Sequence, residues 1–377
     1  MEDKIVTLVV FGTRAEAIKM APLIKELTQN DLFTTKICVT GQHRELLDVV
    51  IKTFDIKIDY DLNIMSECQD LLQVACRVIE GVGKIVSEIK PNLLLVQGDT
   101  SSAFVAALVG FYHKIKVFHI EAGMRSFNDD SPFPEEMHRK LIAQMASGHF
   151  APTETAKNNL LREGVDKSKI YITGNTIIDV LDYTIDKEYK FKTKELDTVD
   201  FSKKIILVTT HRRENWLHGI KDICMAINQI IEENDDTIIL YLVHPNPLIR
   251  KVINDNLIKN KRIIKLNQLE TREMHNLLNR SYFIMTDSGG LQEEAAYLKK
   301  PALILRDATE RKETIDAGIA KVVGTDKNTI IEEVKRMLRD STYYRQMCKT
   351  CFDYGNGHAS QAIVDSIINC WMNERGI

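Results

Sequence analysis

This chain of 377 residues has no excess of positive charge: 50 lysines and arginines stand against 53 aspartates and glutamates, for a net charge of −3. That balance argues against nucleic acid as the main partner. Long apolar runs are also missing. None approaches the length of a membrane span, and Met1–Lys4 opens almost directly into a strand, so neither anchor nor signal peptide is expected and the location is expected to be cytoplasmic. Cysteine is sparse and odd in number. The seven, at 38, 68, 76, 224, 348, 351 and 370, scatter through expected strands and helices, which suits reduced thiols rather than a disulfide framework. Cys348 and Cys351 have redox or zinc spacing, but they fall late in a helical stretch, YYRQMCKTCF, so no metal is expected there. No Gly-x-Gly-x-x-Gly run is present, and with it goes the dinucleotide fingerprint.

What is present is alternation. Ile5–Phe11 is a continuous apolar strand followed by a helix from about Ala15 to Thr28. Strand Lys36–Thr40, helices near Arg44–Phe54 and Gln69–Ile89, strand Asn92–Gln97, helix Ser101–Tyr112 and strand Lys116–Ile120 continue the theme. Unbroken apolar strands between amphipathic helices indicate a parallel sheet covered on both faces. The pattern loosens at DKEYKFKTKELDTVDFSKK, which is charged and lacks helical periodicity, and resumes at Ile205–Thr209. The expected organisation is α/β: a doubly wound domain over 1–186, a linker over 187–204, a second such domain over 205–355 and a C-terminal helix over 356–377. The two domains are expected to face a cleft, because ligands bind at the carboxyl ends of such strands.

Several strand ends carry chemistry. GTRAEAIK places Arg14 at a helix N-terminus with Lys19 one turn on, a phosphate site or an ordinary helix start. In QGDTSSA, Asp99 is either the N-cap of the next helix or an acid–base residue. VFHIEAGMRSFNDDSPFPEEMHR gathers Glu121, Arg125, Asp129, Asp130, Glu135 and Glu136, with His119 and His138 close by. Charge this dense on a long connection suits a ligand site or a solvated loop. THRREN sets His211 beside two arginines, a site for an anion that accepts a proton. TDSGGLQEEA is the strongest local signal. Gly289 and Gly290 let amides approach an oxyanion, Ser288 adds a hydroxyl, and Glu294 lies one turn on at a reach suited to sugar hydroxyls. LRDATERK adds Arg306, Glu310 and Arg311.

The runs GTRAEAIKMAP, GQHRELLD, DYDLNIM, QGDT, HIEAGMRS, PFPEEMHR, APTETAKNNL, TGNTIID, THRREN, TDSGGLQEEA, LRDATER and YGNGHAS follow one another from end to end. With them the chain resembles the non-hydrolysing UDP-N-acetylglucosamine 2-epimerases of bacteria. The resemblance implies two Rossmann-like domains of the glycosyltransferase-B-like kind, with the C-terminal helix returning to the first, a homodimer, a UDP-sugar substrate and neither metal nor other cofactor. It implies interconversion of UDP-N-acetylglucosamine and UDP-N-acetylmannosamine by elimination of UDP to 2-acetamidoglucal and its re-addition, in supply of cell-surface polysaccharide. By the same match Asp99, Glu121, Glu135 and His211 are the catalytic set, with the order of acid and base open. Arg14, Lys19, Ser288, Gly289, Gly290, Glu294 and Arg311 bind substrate.

Gln42, Glu136 and His244 resemble a second, activating UDP-sugar site. Glu45 and Cys68 stand where some relatives carry glutamine and arginine, so a weak or absent activator requirement is expected. Ala15 and Lys312 replace usual prolines, His138 replaces a usual asparagine, and Met274 stands about where an aromatic often covers the uracil. A hydrolysing sibling, an epimerase of UDP-diacetamido-uronic acids, a glycosyltransferase and a nucleotide-sugar sensor are the other readings.

Overall fold

Apolar runs bounded by glycine and charge become strands here, and the order in which they pair decides where the ligand-bearing turns meet. The computed structural model describes residues 4–375 apart from 43, 67–69, 131, 213, 214, 217 and 350–352. Cys68, Cys351, Arg213 and Glu214 therefore lie outside the described residues, as does the side chain of Glu45. The chain divides into two compact units, Met1–Val180 with Asp353–Ile377, and Leu181–Phe352.

Among the described residues the first unit holds seven parallel strands: β1 (Ile5–Phe11), β2 (Phe33–Val39), β3 (Tyr60–Asp61), β4 (Leu93–Gln97), β5 (Lys116–Ile120), β6 (Gly148–Ala151) and β7 (Ile170–Ile172). They lie in the order β3-β2-β1-β4-β5-β6-β7. Helices α1 (Arg14–Gln29), α2 (Arg44–Thr53), α3 (Leu71–Ile89), α4 (Ser101–Tyr112), α5 (Glu135–Met145), α6 (Glu154–Arg162) and α7 (Thr176–Thr184) connect them. The pleat sends alternate β1 side chains to opposite layers. Ile5, Val9 and Phe11 pack with α1 and α2 residues such as Met20 and Leu47, whereas Leu8 and Val10 pack with Val78, Ala106 and Ile142. The chain winds outward from β1 to β3 and then returns to β4, so the sheet reverses between β1 and β4. Ligands of open α/β sheets bind at that reversal.

The second unit repeats the plan with β8 (Lys204–Thr209), β9 (Thr237–Leu242), β10 (Ile263–Leu266), β11 (Phe283–Thr286), β12 (Ala302–Ile304) and β13 (Ala320–Val322), ordered β10-β9-β8-β11-β12-β13. Its helices are α8 (His218–Glu233), α9 (Pro247–Asn256), α10 (Thr271–Arg280), α11 (Gly289–Tyr297), α12 (Lys312–Asp316), α13 (Lys327–Arg339) and α14 (Ser341–Met347). The reversal falls between β8 and β11.

The chain then returns to the first unit through α15 (Ala359–Arg375). Ile363, Val364 and Ile367 are buried in the same layer as Val9 and Met20, each stabilising by roughly 2 kcal/mol. Asp179 accepts the Ala359 and Ser360 amides at 3.0 and 2.6 Å, filling the first turn of α15. Gly174 and Gly355 lie back to back: a Cβ on Gly174 would stand 2.7 Å from the Gly355 Cα, which explains a glycine in each of the TGN and YGN turns.

The charged stretch 187–204 is not a free linker. Leu196 and Val199 are buried among Leu207, Leu240 and Leu277, and the carboxylate of Glu273 accepts the Lys192 and Thr193 amides at 2.6 and 3.0 Å. Its apolar residues alternate with lysines and acids at no regular period, which hides a segment that packs. The division between units falls instead at Val180 and Leu181, inside α7. Strands β3, β6, β7 and β13, two to four residues each, carry too little pattern to stand out in the sequence.

Candidate functional site

The β1–α1 turn is built around Glu16. Thr13 caps α1, its hydroxyl accepting the Glu16 amide at 3.4 Å, while Glu16 Oε2 accepts the Gly12 and Thr13 amides at 3.1 and 2.8 Å. The other oxygen of Glu16 accepts the Thr100 hydroxyl at 2.9 Å, clipping the turn after β1 to the turn after β4. Burial pushes the Glu16 carboxyl up to about 7 against the hydroxyls of Thr13 and Thr100 and the two amides. Gly12 is required by contact: a Cβ there would stand 2.2 Å from Thr40 Oγ1 and 2.4 Å from Ser102 Oγ. Glu16 does not stand out in the sequence as a site residue, although Thr13 and Glu16 spell a capping box.

Arg14 begins α1, and Lys19 one turn on forms an ion pair with Glu121. Glu121 follows β5 with φ of 62°, a left-handed conformation that costs a non-glycine residue energy and turns its carboxylate to this pairing. The same oxygen accepts the Gln97 and Asn175 side-chain amides, each at 3.1 Å. Gln97 and Asn175 were also missed. Nothing in an amide at a strand end announces that it will hold a carboxylate from another strand.

Asp99 is not the N-cap of α4. Thr100 is, accepting the Ala103 amide at 3.0 Å. Asp99 instead forms an ion pair with Arg139, and its carbonyl lies 2.9 Å from His138 Nδ1, whose ring stacks on Phe104. Glu135 opens α5, and among the described residues it has no hydrogen-bond or ion-pair partner. Glu136, next to it, is fully buried and accepts the Ser126 and Phe127 amides at 2.9 and 3.1 Å, with Arg139 at 3.4 Å. Its oxygens tie down the loop after β5 rather than facing outward. Gln42 accepts the Ser102 hydroxyl at 2.9 Å.

In the second unit, His211 follows β8 with its side chain 44% exposed, and its Nδ1 lies 2.7 Å from the fully buried Asp287 at the end of β11. Asp287 also accepts the His211 and Arg212 amides and the Asn215 side chain at 3.0–3.1 Å. Burial raises this carboxyl, but the His211 bond and charge and the two amides outweigh it and hold it below the usual range. Ser288 caps α11 without a side-chain cap bond, so the first amides of that helix, starting at Gly289, are not filled by its hydroxyl.

Arg311 lies against this helix start: a Cβ on Gly289 would stand 2.9 Å from its Cζ. Glu293 and Glu310 hold its guanidinium at 2.8 and 2.9 Å. Burial raises the Glu310 carboxyl, yet Arg311 and Arg306 bring it down to about 2. Glu294 sits one turn into α11 with His275 Nε2 at 3.4 Å, and His275 Nδ1 lies 2.7 Å from the Thr184 hydroxyl. His244 Nδ1 accepts the Asn246 amide at 3.2 Å, and burial and the charge of His211 lower its pKa. Met274 packs half-buried against the core of this unit.

The first unit thus carries Arg14, Lys19, Asp99, Glu121 and Glu135, and the second His211, Ser288, Gly289, Gly290, Glu294 and Arg311. In each, the chemistry clusters where the strand order reverses. Among the described residues no group of three or more His, Cys, Asp or Glu is arranged to hold a metal, and no helix is long and apolar enough to cross a membrane.

A family model described as UDP-N-acetylglucosamine 2-epimerase matches residues 25–368. The UDP-N-acetylglucosamine 2-epimerase of Campylobacter jejuni is 45% identical over 376 residues, covering 97% of this chain and 98% of that protein. The crystal structure of UDP-GlcNAc 2-epimerase from Neisseria meningitidis bound to UDP-GlcNAc is similar with a TM-score of 0.90 and 42% identity, over 97% of this chain and 100% of that one. A glycosyltransferase, SnogD from Streptomyces nogalater, shares the fold at a TM-score of 0.64 and 11% identity, over 97% of this chain and 99% of that one.

Proposed function

Because this chain belongs to the UDP-N-acetylglucosamine 2-epimerase family, we propose that its epimerase activity is of the non-hydrolysing kind, interconverting UDP-N-acetylglucosamine and UDP-N-acetylmannosamine. The C2–H bond breaks as a carboxylate takes the proton, the C1–O bond to UDP breaks with its electron pair leaving on the diphosphate, and 2-acetamidoglucal is held in place. A proton then adds to the opposite face of C2, and UDP re-forms the bond at C1.

One observation carries this reading: the three carboxylates of the first unit are in different company. Glu121 is paired with Lys19 and two amides, Asp99 with Arg139, and Glu135 with no partner among the described residues. A C2–H is a poor acid, so its removal and return require a base, an acid and a way to keep their charges apart. A glycosyltransferase with this fold has no use for three carboxylates at the donor sugar. In the second unit His211, Arg311 and the α11 amides suit the charge that grows on the departing diphosphate, and Glu294 suits the ribose; Arg14 gives the first unit a cation of its own. We infer that the enzyme works in the cytoplasm as a homodimer and supplies the epimerised sugar for cell-surface polysaccharide.

The test is incubation with UDP-N-acetylglucosamine in D₂O without added metal or nicotinamide, followed by NMR. The expected outcome is deuterium at C2 and a second UDP-sugar epimer. Free N-acetylmannosamine as the main product moves the chain to the hydrolysing class, and an unchanged sugar refutes epimerisation of this substrate.

A further inference from the structure

Asp287 belongs to none of the roles assigned so far, yet its carboxylate is heavily engaged. It is completely buried and receives four donor atoms: the His211 and Arg212 amides, the Asn215 side chain and the His211 ring. A backbone staple for the turn after β8 would need only the first three. The ring contact, 2.7 Å from Nδ1 to Oδ1, is the shortest of the set.

An ionised carboxylate can only accept, so the ring nitrogen facing it must be the one that carries hydrogen. Nε2 is left on the side of the ring away from the buried carboxylate, on a side chain 44% exposed. The groups around the pair are Arg212 on the same turn, Tyr241 of β9, whose hydroxyl is within 2.8 Å of Thr210 Oγ1, and His244 after β9, whose Nδ1 is turned to the Asn246 amide. The backbone carbonyl of His211 accepts the indole N–H of Trp216 at 3.3 Å, which helps hold the turn.

We propose that Asp287 is a positioning residue for His211: it accepts the hydrogen bond from Nδ1–H, fixes the ring, favours its protonated form, and directs Nε2–H to the diphosphate. This rests on the reading above that His211 meets the departing UDP. When the C1–O bond breaks, negative charge moves onto the diphosphate, and an imidazolium Nε2–H answers it while the buried carboxylate balances the cation. On UDP re-addition the same bond weakens and the nucleophilic oxygen is released. No group is consumed; the proton stays on the ring throughout.

Asparagine at 287 keeps the shape and an acceptor for the amides but offers a donor or a neutral oxygen to Nδ1. Both Asp287→Asn and His211→Asn are expected to lower kcat for epimerisation by roughly 100-fold. In the double variant the loss should stay within about twofold of His211→Asn alone, because Asp287 acts through the ring. Nitrogen-15 NMR of the wild-type imidazole, which depends on no variant folding, should show hydrogen on Nδ1 of His211. Losses that multiply in the double variant, a bare Nδ1 in the wild type, or Asp287→Asn at wild-type turnover beside an impaired His211→Asn overturn the positioning role alone. His211→Asn at wild-type turnover overturns the underlying reading of His211, and this proposal with it.

Discussion

Acidification should destabilise the first unit through two histidines that face one another across its sheet. His119 on β5 and His149 on β6 stand in register, both are buried, and among the described residues the Nδ1 of each lacks a hydrogen-bond partner. His119 Nε2 is 2.7 Å from the Gly98 carbonyl, so the neutral ring donates there and leaves Nδ1 bare; a second proton would sit on a buried nitrogen with no acceptor. Burial first, then the nearby cation Arg125, lowers His119 to about 4; burial, then the facing His119 and the cation Lys169, lowers His149 to about 3.

Both folded values lie below the unfolded 6.5, so the unfolded chain binds more protons as pH falls through 6.5. Stability is therefore intact above that value and is lost on the way down toward the folded values. At pH 5 the unfolded ring is favoured by about 1.5 logarithmic units, or about 2 kcal/mol per histidine and about 4 kcal/mol for the pair. Glu16 acts in the opposite sense. Its carboxyl is raised to about 7, so its burial costs little at pH 4.5 and more as pH rises toward 7. A raw pH–stability curve mixes the two, and the difference between variants separates them.

Urea unfolding of the wild type and His149→Gln at pH 7 and pH 5 should therefore show a smaller acid loss in the variant, by about 2 kcal/mol, whatever the substitution costs at both pH values. Equal losses in the two proteins would refute the argument that this pair titrates on unfolding.

Asp99→Asn is expected to retain UDP binding in calorimetry while C2 deuterium exchange falls at least about 100-fold; exchange at the wild-type rate would leave Asp99 as no more than a partner for Arg139. Ser288→Ala with Glu294→Gln should instead weaken UDP binding, seen as a raised Kd in the same titration. Gly123→Ala should lose at least about 3 kcal/mol in urea unfolding, since Gly123 has φ of 85° and its Cβ would stand 2.2 Å from the Ala156 carbonyl oxygen. Starting from pure UDP-N-acetylmannosamine, product should appear without a lag, because Glu45 and Cys68 offer a second diphosphate no planar cation; a lag abolished by UDP-N-acetylglucosamine refutes that expectation.

Most of the frame is legible in the chain alone. Runs such as Ile5–Phe11 and Leu93–Gln97 are apolar throughout, which only a strand buried on both faces accommodates, and the turns after them carry glycine, charge and hydroxyls in an order that names the family. Local chemistry was enough for these because it acts over a few residues. Tertiary structure alone decided who partners whom. Lys19, which short-range pattern leaves as part of a phosphate site or an ordinary helix start, meets Glu121 from 102 residues away, and Asp99, a candidate helix cap, yields that place to Thr100 and takes Arg139. Glu136, beside the half-exposed Glu135, turns inward to hold two amides. The stretch 187–204 looks like a linker until Leu196 and Val199 find strands that come later in the chain. Pairings of this kind depend on which strands the sheet reversal brings side by side, and short-range pattern carries no record of that.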